Sequence, residues 1–120
     1  MFDPNFVLLY VSSPEASAKF YAELLGHAPI EASPTFAMFK LESGVMLGLW
    51  AKHTVEPTAT PVGGGELAFA VGDNATVDNT YDKWSTRGLT IAQTPCKLDF
   101  GYTFVAQDPD GHRLRVFAPA

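Results

Sequence analysis

Apolar residues fall in short runs along this chain, and the spacing within each run changes from element to element. Residues 6–11 are apolar throughout and read as a buried strand. Ser12, Ser13 and Pro14 then open a helix, with serine as the cap and proline at the first helical position. Ala16, Phe20 and Leu24 recur at helical spacing with Tyr21 and Leu25 beside them, and Gly26 stops the helix. Residues 28–32 make a weak short strand. Residues 35–41 and 45–51 make two more, joined through Glu42, Ser43 and Gly44.

Residues 52–64 break the pattern with Pro57, Pro61, Gly63 and Gly64, and Gly65 follows; this reads as a linker near the middle of the chain. The plan then repeats. Residues 66–71 alternate as a strand, Asp73 caps a second helix with Val77, Tyr81 and Trp84 on one stripe, and Gly88 stops it. Residues 89–93 form a short strand. The closing hairpin is the strongest turn signal in the chain: two apolar-rich arms flank Asp108-Pro109-Asp110-Gly111, where proline presets φ and glycine accepts a positive one. In its second arm Leu114 and Val116 point to one face, and Arg113, Arg115 and Phe117 to the other. Each half thus reads strand–helix–strand–strand–strand, which predicts an α+β fold of two βαβββ modules: module one over 5–51, module two over 65–118.

Composition narrows the function classes. The length of 120 residues suits one domain, and 47% hydrophobic residues suffice for a core. A net charge of -5 argues against nucleic acid, whose affinity depends on cationic side chains neutralising phosphates. Cys96 is the only cysteine, so an internal disulfide is excluded and a thiolate zinc site is disfavoured. The first residues lack a charged segment followed by a long apolar run, and no stretch reaches the ~20 apolar residues of a membrane span. The expectation is a cytoplasmic protein with no membrane partner. Cys96 reads as a packed or half-exposed thiol. His27, His53 and His112 are scattered and read as surface residues.

The double unit, Phe20-Tyr21 with Leu24-Leu25-Gly26 in the first helix, and Asp108-Pro109-Asp110-Gly111 before the last strand together resemble the vicinal oxygen chelate superfamily. That superfamily includes glyoxalase I, extradiol dioxygenases, and bleomycin and fosfomycin resistance proteins. The resemblance covers nearly the whole chain. It implies a single domain whose two modules form a curved mixed sheet around a cavity, usually completed in a homodimer.

Enzymes of the superfamily hold a divalent metal at four strand positions. Carried over one at a time, these hold Phe6, a residue within 48–50, Glu66 and Arg115. Neither glycine nor phenylalanine can ligate, and a guanidinium has donors but no acceptor. The resemblance therefore implies no metal and no cofactor. Glu66 and Arg115, oppositely charged at two former ligand positions, suggest an ion pair in place of the metal bridge.

What remains is an aromatic box. Phe6 and Tyr10 share one strand face with Leu8, Met46 shares another with Gly48 and Trp50, and Tyr102 and Phe104 come from the closing hairpin. Aromatic rings stack on planar ligands, and Gly48 leaves room for a ligand to approach. Filling of a core is the competing reading for Phe6 and Tyr10, and the favoured one for Trp84.

Within the superfamily, Gly48-Leu49-Trp50, Glu66, Phe100-Gly101-Tyr102-Thr103-Phe104 and Asp108 through Val116 resemble the phenazine antibiotic-resistance proteins. Tyr102 departs from that group, where a basic side chain is expected. The resemblance implies a metal-free, non-enzymatic protein that binds a planar aromatic antibiotic or metabolite in a dimer. The alternative is a metal-dependent glyoxalase-like lyase or dioxygenase of the same superfamily.

Overall fold

A computed structural model describes residues 2–120. The chain divides into two compact units between Pro61 and Val62, and each builds its own four-stranded sheet with one helix.

In the first unit the order is β1 (Phe6–Val11), α1 (Pro14–Leu25), β2 (Glu31–Ala32), β3 (Phe36–Lys40) and β4 (Met46–Ala51). The sheet order is β1-β4-β3-β2; β1 runs parallel to β4 and the other pairs are antiparallel. The helix begins where the sequence places it: the Ser13 hydroxyl accepts from the Ala16 N–H at 3.1 Å and Pro14 takes the first position. It ends at Gly26, whose φ of 81° puts the chain in the left-handed region.

The buried stripe of α1 differs from the expected one. Pro14, Ser17, Ala18 and Tyr21 are buried, whereas Ala16 is exposed and Phe20 half-buried. Small Ser17 and Ala18 let the helix approach the sheet closely, so the inward face is turned by about one residue and Tyr21 becomes the large anchor. Tyr21 closes a core with Phe39, Leu47, Leu49, Val11 and Ala51. The apolar run 6–11 is likewise buried on one face only: Phe6 and Leu8 remain exposed, because α1 covers a single side of the sheet.

The second unit repeats the plan as β5 (Glu66–Ala70), α2 (Asn74–Thr86), β6 (Thr90–Leu98), β7 (Gly101–Gln107) and β8 (Arg113–Pro119), in sheet order β5-β8-β7-β6 with β5 parallel to β8. The Asp73 carboxylate caps α2 by accepting from the Thr76 N–H at 2.8 Å and its hydroxyl at 2.6 Å. Val77 and Trp84 bury beneath it against Phe104, Leu114 and Val116. The strand expected over 89–93 runs on to Leu98, with register shifts between Ile91 and Gln93 and between Gln93 and Cys96. Those irregularities blur the alternation that marks a strand in sequence. At the β7–β8 turn the Asp108 carboxylate accepts from the N–H groups of Asp110 and His112, both at 2.9 Å. Gly111 there has a φ of 88°.

Candidate functional site

In each unit the helix covers one face of the sheet, and candidate binding residues collect on the other. In the first unit, register pairs Phe6 with Met46, Leu8 with Gly48 and Tyr10 with Trp50 on β1 and β4. It also pairs Phe36 with Trp50 and Met38 with Gly48 on β3 and β4. Paired residues point to the same side, so these side chains make one apolar face opposite the buried Leu47 and Leu49. Phe6 is 47% exposed and Leu8 46%, while Tyr10, Met46 and Trp50 are half-buried. Tyr10 and Trp50 meet edge to face at 6.3 Å between centroids.

The space expected over Gly48 is already taken. A Cβ there would lie 2.6 Å from Leu8 Cδ2 and 3.0 Å from Phe36 Cζ, so glycine lets these side chains fold across the sheet rather than leaving a berth for a ligand. Phe36 and Met38 belong to this face and escaped the sequence reading. Their signal was the alternation of Phe36, Met38 and Lys40 along β3.

In the second unit the open face centres on Arg115. Its Nε donates to Glu66 Oε1 at 2.6 Å, and its Nη1 donates to Thr103 Oγ1 at 3.2 Å. The buried Thr103 hydroxyl in turn donates to the Val116 carbonyl at 2.8 Å, which fixes the oxygen that holds the guanidinium. Glu66 and Arg115 thus form the expected ion pair, at the rim rather than in a dry interior, with side chains 31% and 17% exposed. The guanidinium carbon also lies 5.5 Å from the centre of the Phe100 ring, which packs edge-on against Phe117 at 5.8 Å. Strand parity in the sequence already set Phe117 on the Arg115 face, whereas the approach of Phe100 to the guanidinium escaped the sequence reading.

Two expected members of the aromatic box face the other way. Phe104 is fully buried under α2, with edge contacts to Tyr81 at 5.4 Å and Trp84 at 5.5 Å. Tyr102 shares its parity and reaches α2, where its hydroxyl donates to Asp78 Oδ1 at 2.7 Å. That hydrogen bond to a carboxylate holds the Tyr102 phenol above its ordinary pKa. Strand alternation is the reason: Thr103 and Val105, not Tyr102 and Phe104, lie on the Arg115 side of β7. Trp84 is core, as expected.

Beside Arg115 is a polar pocket of 140 Å³ lined by Ala92, Gln93, Val105, Arg113 and Arg115. A larger hollow of 590 Å³ is lined by 62–66 with Gly111 and Arg113, so Arg113 contributes to both.

The residues that the resemblance sets at metal positions, Phe6, 48–50, Glu66 and Arg115, are not a donor set for a divalent cation. The one carboxylate among them already accepts from a guanidinium, and the others offer no lone pair. Among the described residues no three His, Cys, Asp or Glu side chains cluster elsewhere for that purpose. His27 stands against Phe39, 6.0 Å between ring centres, and Cys96 is a half-buried free thiol on β6. No helix among the described residues is long and apolar enough to cross a membrane.

Comparison with known proteins agrees with this architecture. The chain is 28% identical over 116 residues to the phenazine antibiotic resistance protein EhpR of Enterobacter agglomerans, covering 94% of this chain and 89% of that protein. Its fold is similar to the solution structure of protein ATC0852 from Agrobacterium tumefaciens, with a TM-score of 0.92, 55% identity, and 100% and 99% of the two chains covered. It is also similar in fold to a glyoxalase-related enzyme from Fulvimarina pelagi, with a TM-score of 0.85 at 22% identity over 98% of this chain and 88% of that one. The family described as the Glyoxalase/Bleomycin resistance protein/Dioxygenase superfamily matches over residues 4–116. With the repeated βαβββ plan and nearly the whole chain matched, this protein belongs to the Glyoxalase/Bleomycin resistance protein/Dioxygenase superfamily.

Proposed function

We propose that this protein binds a planar aromatic small molecule of phenazine type and sequesters it unaltered, as an antibiotic-resistance protein acting without a metal. The observation that carries this reading is the helix-free face of the first sheet, where Phe6, Leu8, Tyr10 and Trp50 present apolar and aromatic surface outside the core. A flat apolar ring system loses little on binding there and gains stacking contact. The likeness to a phenazine resistance protein supports the ligand class. The ion pair of Glu66 with Arg115 at former ligand positions supports binding without a metal.

The test is a titration of the purified protein with phenazine and with phenazine-1-carboxylate, followed by tryptophan fluorescence, with and without EDTA. The ligand is then recovered and its mass checked. Saturable micromolar binding of at least one compound, indifferent to EDTA and with the compound returned intact, is the expected result. No saturation of either compound up to millimolar concentration overturns the proposal, as does recovery of a transformed product.

A further inference from the structure

We infer that Gly48 sets the ligand specificity of the first sheet's open face: it lets Leu8 and Phe36 lie low across β4, and the level floor they make selects rigid flat ring systems over flexible apolar molecules of equal size. This deepens the proposed function, on which its ligand class rests, and every residue it invokes belongs to the first unit.

Gly48 stands in the interior of β4, where a glycine packs no side chain and weakens the strand. Its φ is not positive, so the backbone does not call for glycine. What glycine supplies there is space. Leu8 faces Gly48 directly from β1, and Phe36 reaches it diagonally from β3, where Met38 is the direct partner. A Cβ on Gly48 would lie 2.6 Å from Leu8 Cδ2 and 3.0 Å from Phe36 Cζ, so both ends rest where a side chain of β4 would stand. Gly48 is buried beneath them although it lies on the face without a helix, while Leu8 itself stays 46% exposed. The two ends bridge β4 as a low apolar surface next to the Tyr10 and Trp50 pair.

Low relief matters because dispersion is short-ranged. Carbon atoms attract best at about 3.5–4.0 Å, and a gap of about 0.5–1 Å forfeits a quarter to a half of that attraction. A methyl added at Gly48 must push Leu8 Cδ2 back by about 1 Å to reach ordinary contact. A rigid ring cannot follow the step this raises and loses contact along much of its length; a molecule with rotatable bonds drapes over it. Leu8→Ala does the converse and opens a hole at the same place. The two changes together cancel, because the added methyl fills the volume that Leu8 Cδ2 vacates.

The rigid probe is phenazine or, where it alone binds, phenazine-1-carboxylate. The flexible probe is N-benzylaniline, which has as many non-hydrogen atoms as phenazine but turns freely about its linker. Each is titrated by equilibrium dialysis into the parent, Gly48→Ala, Leu8→Ala and the double variant, and each protein is melted. The two single variants are expected to bind the rigid probe about tenfold more weakly, and the double variant to recover most of that loss. N-benzylaniline should change less than about threefold throughout, because it adapts to either surface. Melting temperatures should stay within a few degrees, since the added methyl meets only the far ends of two side chains. Unchanged affinity of the rigid probe in both single variants overturns the inference, as does equal loss of both probes, or a double variant weaker than either single. If Gly48→Ala does not fold, the double variant, in which the crowding is relieved, decides: rigid-probe binding no better than that of Leu8→Ala overturns the inference. If the parent binds neither phenazine, the proposed function falls, and Nile red, a rigid flat dye, carries the same comparison. The same pattern with Nile red then supports the floor; equal Nile red binding by all four proteins, or by none, overturns it.

Discussion

Trp50 stands near the end of β4 on the face that α1 leaves open, and its indole is the largest flat surface there. Stacking on such a ring is worth about 1–3 kcal/mol, by analogy with nucleobases on aromatic side chains. Trp50→Ala is expected to weaken phenazine binding about tenfold or more while leaving the melting temperature within a few degrees. Binding can be followed by equilibrium dialysis, since the tryptophan at the site is gone and only Trp84 in the core remains to fluoresce; unchanged affinity would remove Trp50 from the site. Arg115 and Glu66 pose a different question, because their contact is short while both side chains keep some access to water. Solvent screening limits such a pair, so Arg115→Leu should cost only about 1 kcal/mol of stability. Coupling to Glu66→Gln in a double-mutant cycle should be about 0.5–1 kcal/mol, measured by urea unfolding of both singles and the double. Coupling of several kcal/mol would mean that the pair is desolvated in the functional assembly.

At the scale of elements, the helix caps and one tight crossing set stability. Ser13→Ala removes the acceptor for the Ala16 N–H and should cost about 1 kcal/mol in denaturant unfolding. The Asp73 cap titrates. Hydrogen bonds from the Thr76 side chain and backbone hold its carboxyl below the usual value of 3.8. A depressed folded-state pKa means that the contribution is fully present above the unfolded value and is lost as pH falls through the folded one. Asp73→Asn keeps an acceptor at the cap but cannot titrate. Its melting temperature should therefore fall less than the parent's between pH 6 and pH 2.5, a comparison calorimetry can make. Gly101 opens β7 with a φ of 148°, and an added Cβ would lie 2.0 Å from the Ala118 carbonyl oxygen. Backbone cannot step aside as a side chain can, so Gly101→Ala should destabilise the second unit by more than about 2 kcal/mol.

For the molecule as a whole, each unit covers one sheet face with a helix and leaves apolar groups on the surface, among them Phe6, Leu8, Ile30 and Phe100. Exposed apolar side chains on the open sheet face of the first unit favour association, and we propose a homodimer. A permanent interface of this kind buries on the order of 2,000 Å² or more. Sedimentation at micromolar concentration should give a particle of twice the 13.0 kDa chain mass; a monomer under those conditions would refute the dimer.

Much of the fold was legible because local chemistry dictates it. Ser13 with Pro14 starts a helix, Gly26 stops one, and Asp108-Pro109-Asp110-Gly111 turns a chain wherever they occur, since each acts on its own backbone. Repetition of that local plan named the architecture, and strand parity put Arg113, Arg115 and Phe117 together on one face. Side-chain neighbours across strands were not local. That Leu8 and Phe36 close over Gly48, that Thr103 rather than Tyr102 meets Arg115, and that Tyr102 and Phe104 turn to α2 depend on register between strands distant in sequence. A shift of one residue in that register exchanges the two faces of a strand, and only the packed helix decides which face is core. Sequence determined which residues alternate; tertiary structure decided which half of each alternation meets a helix, because only one side of each sheet receives one.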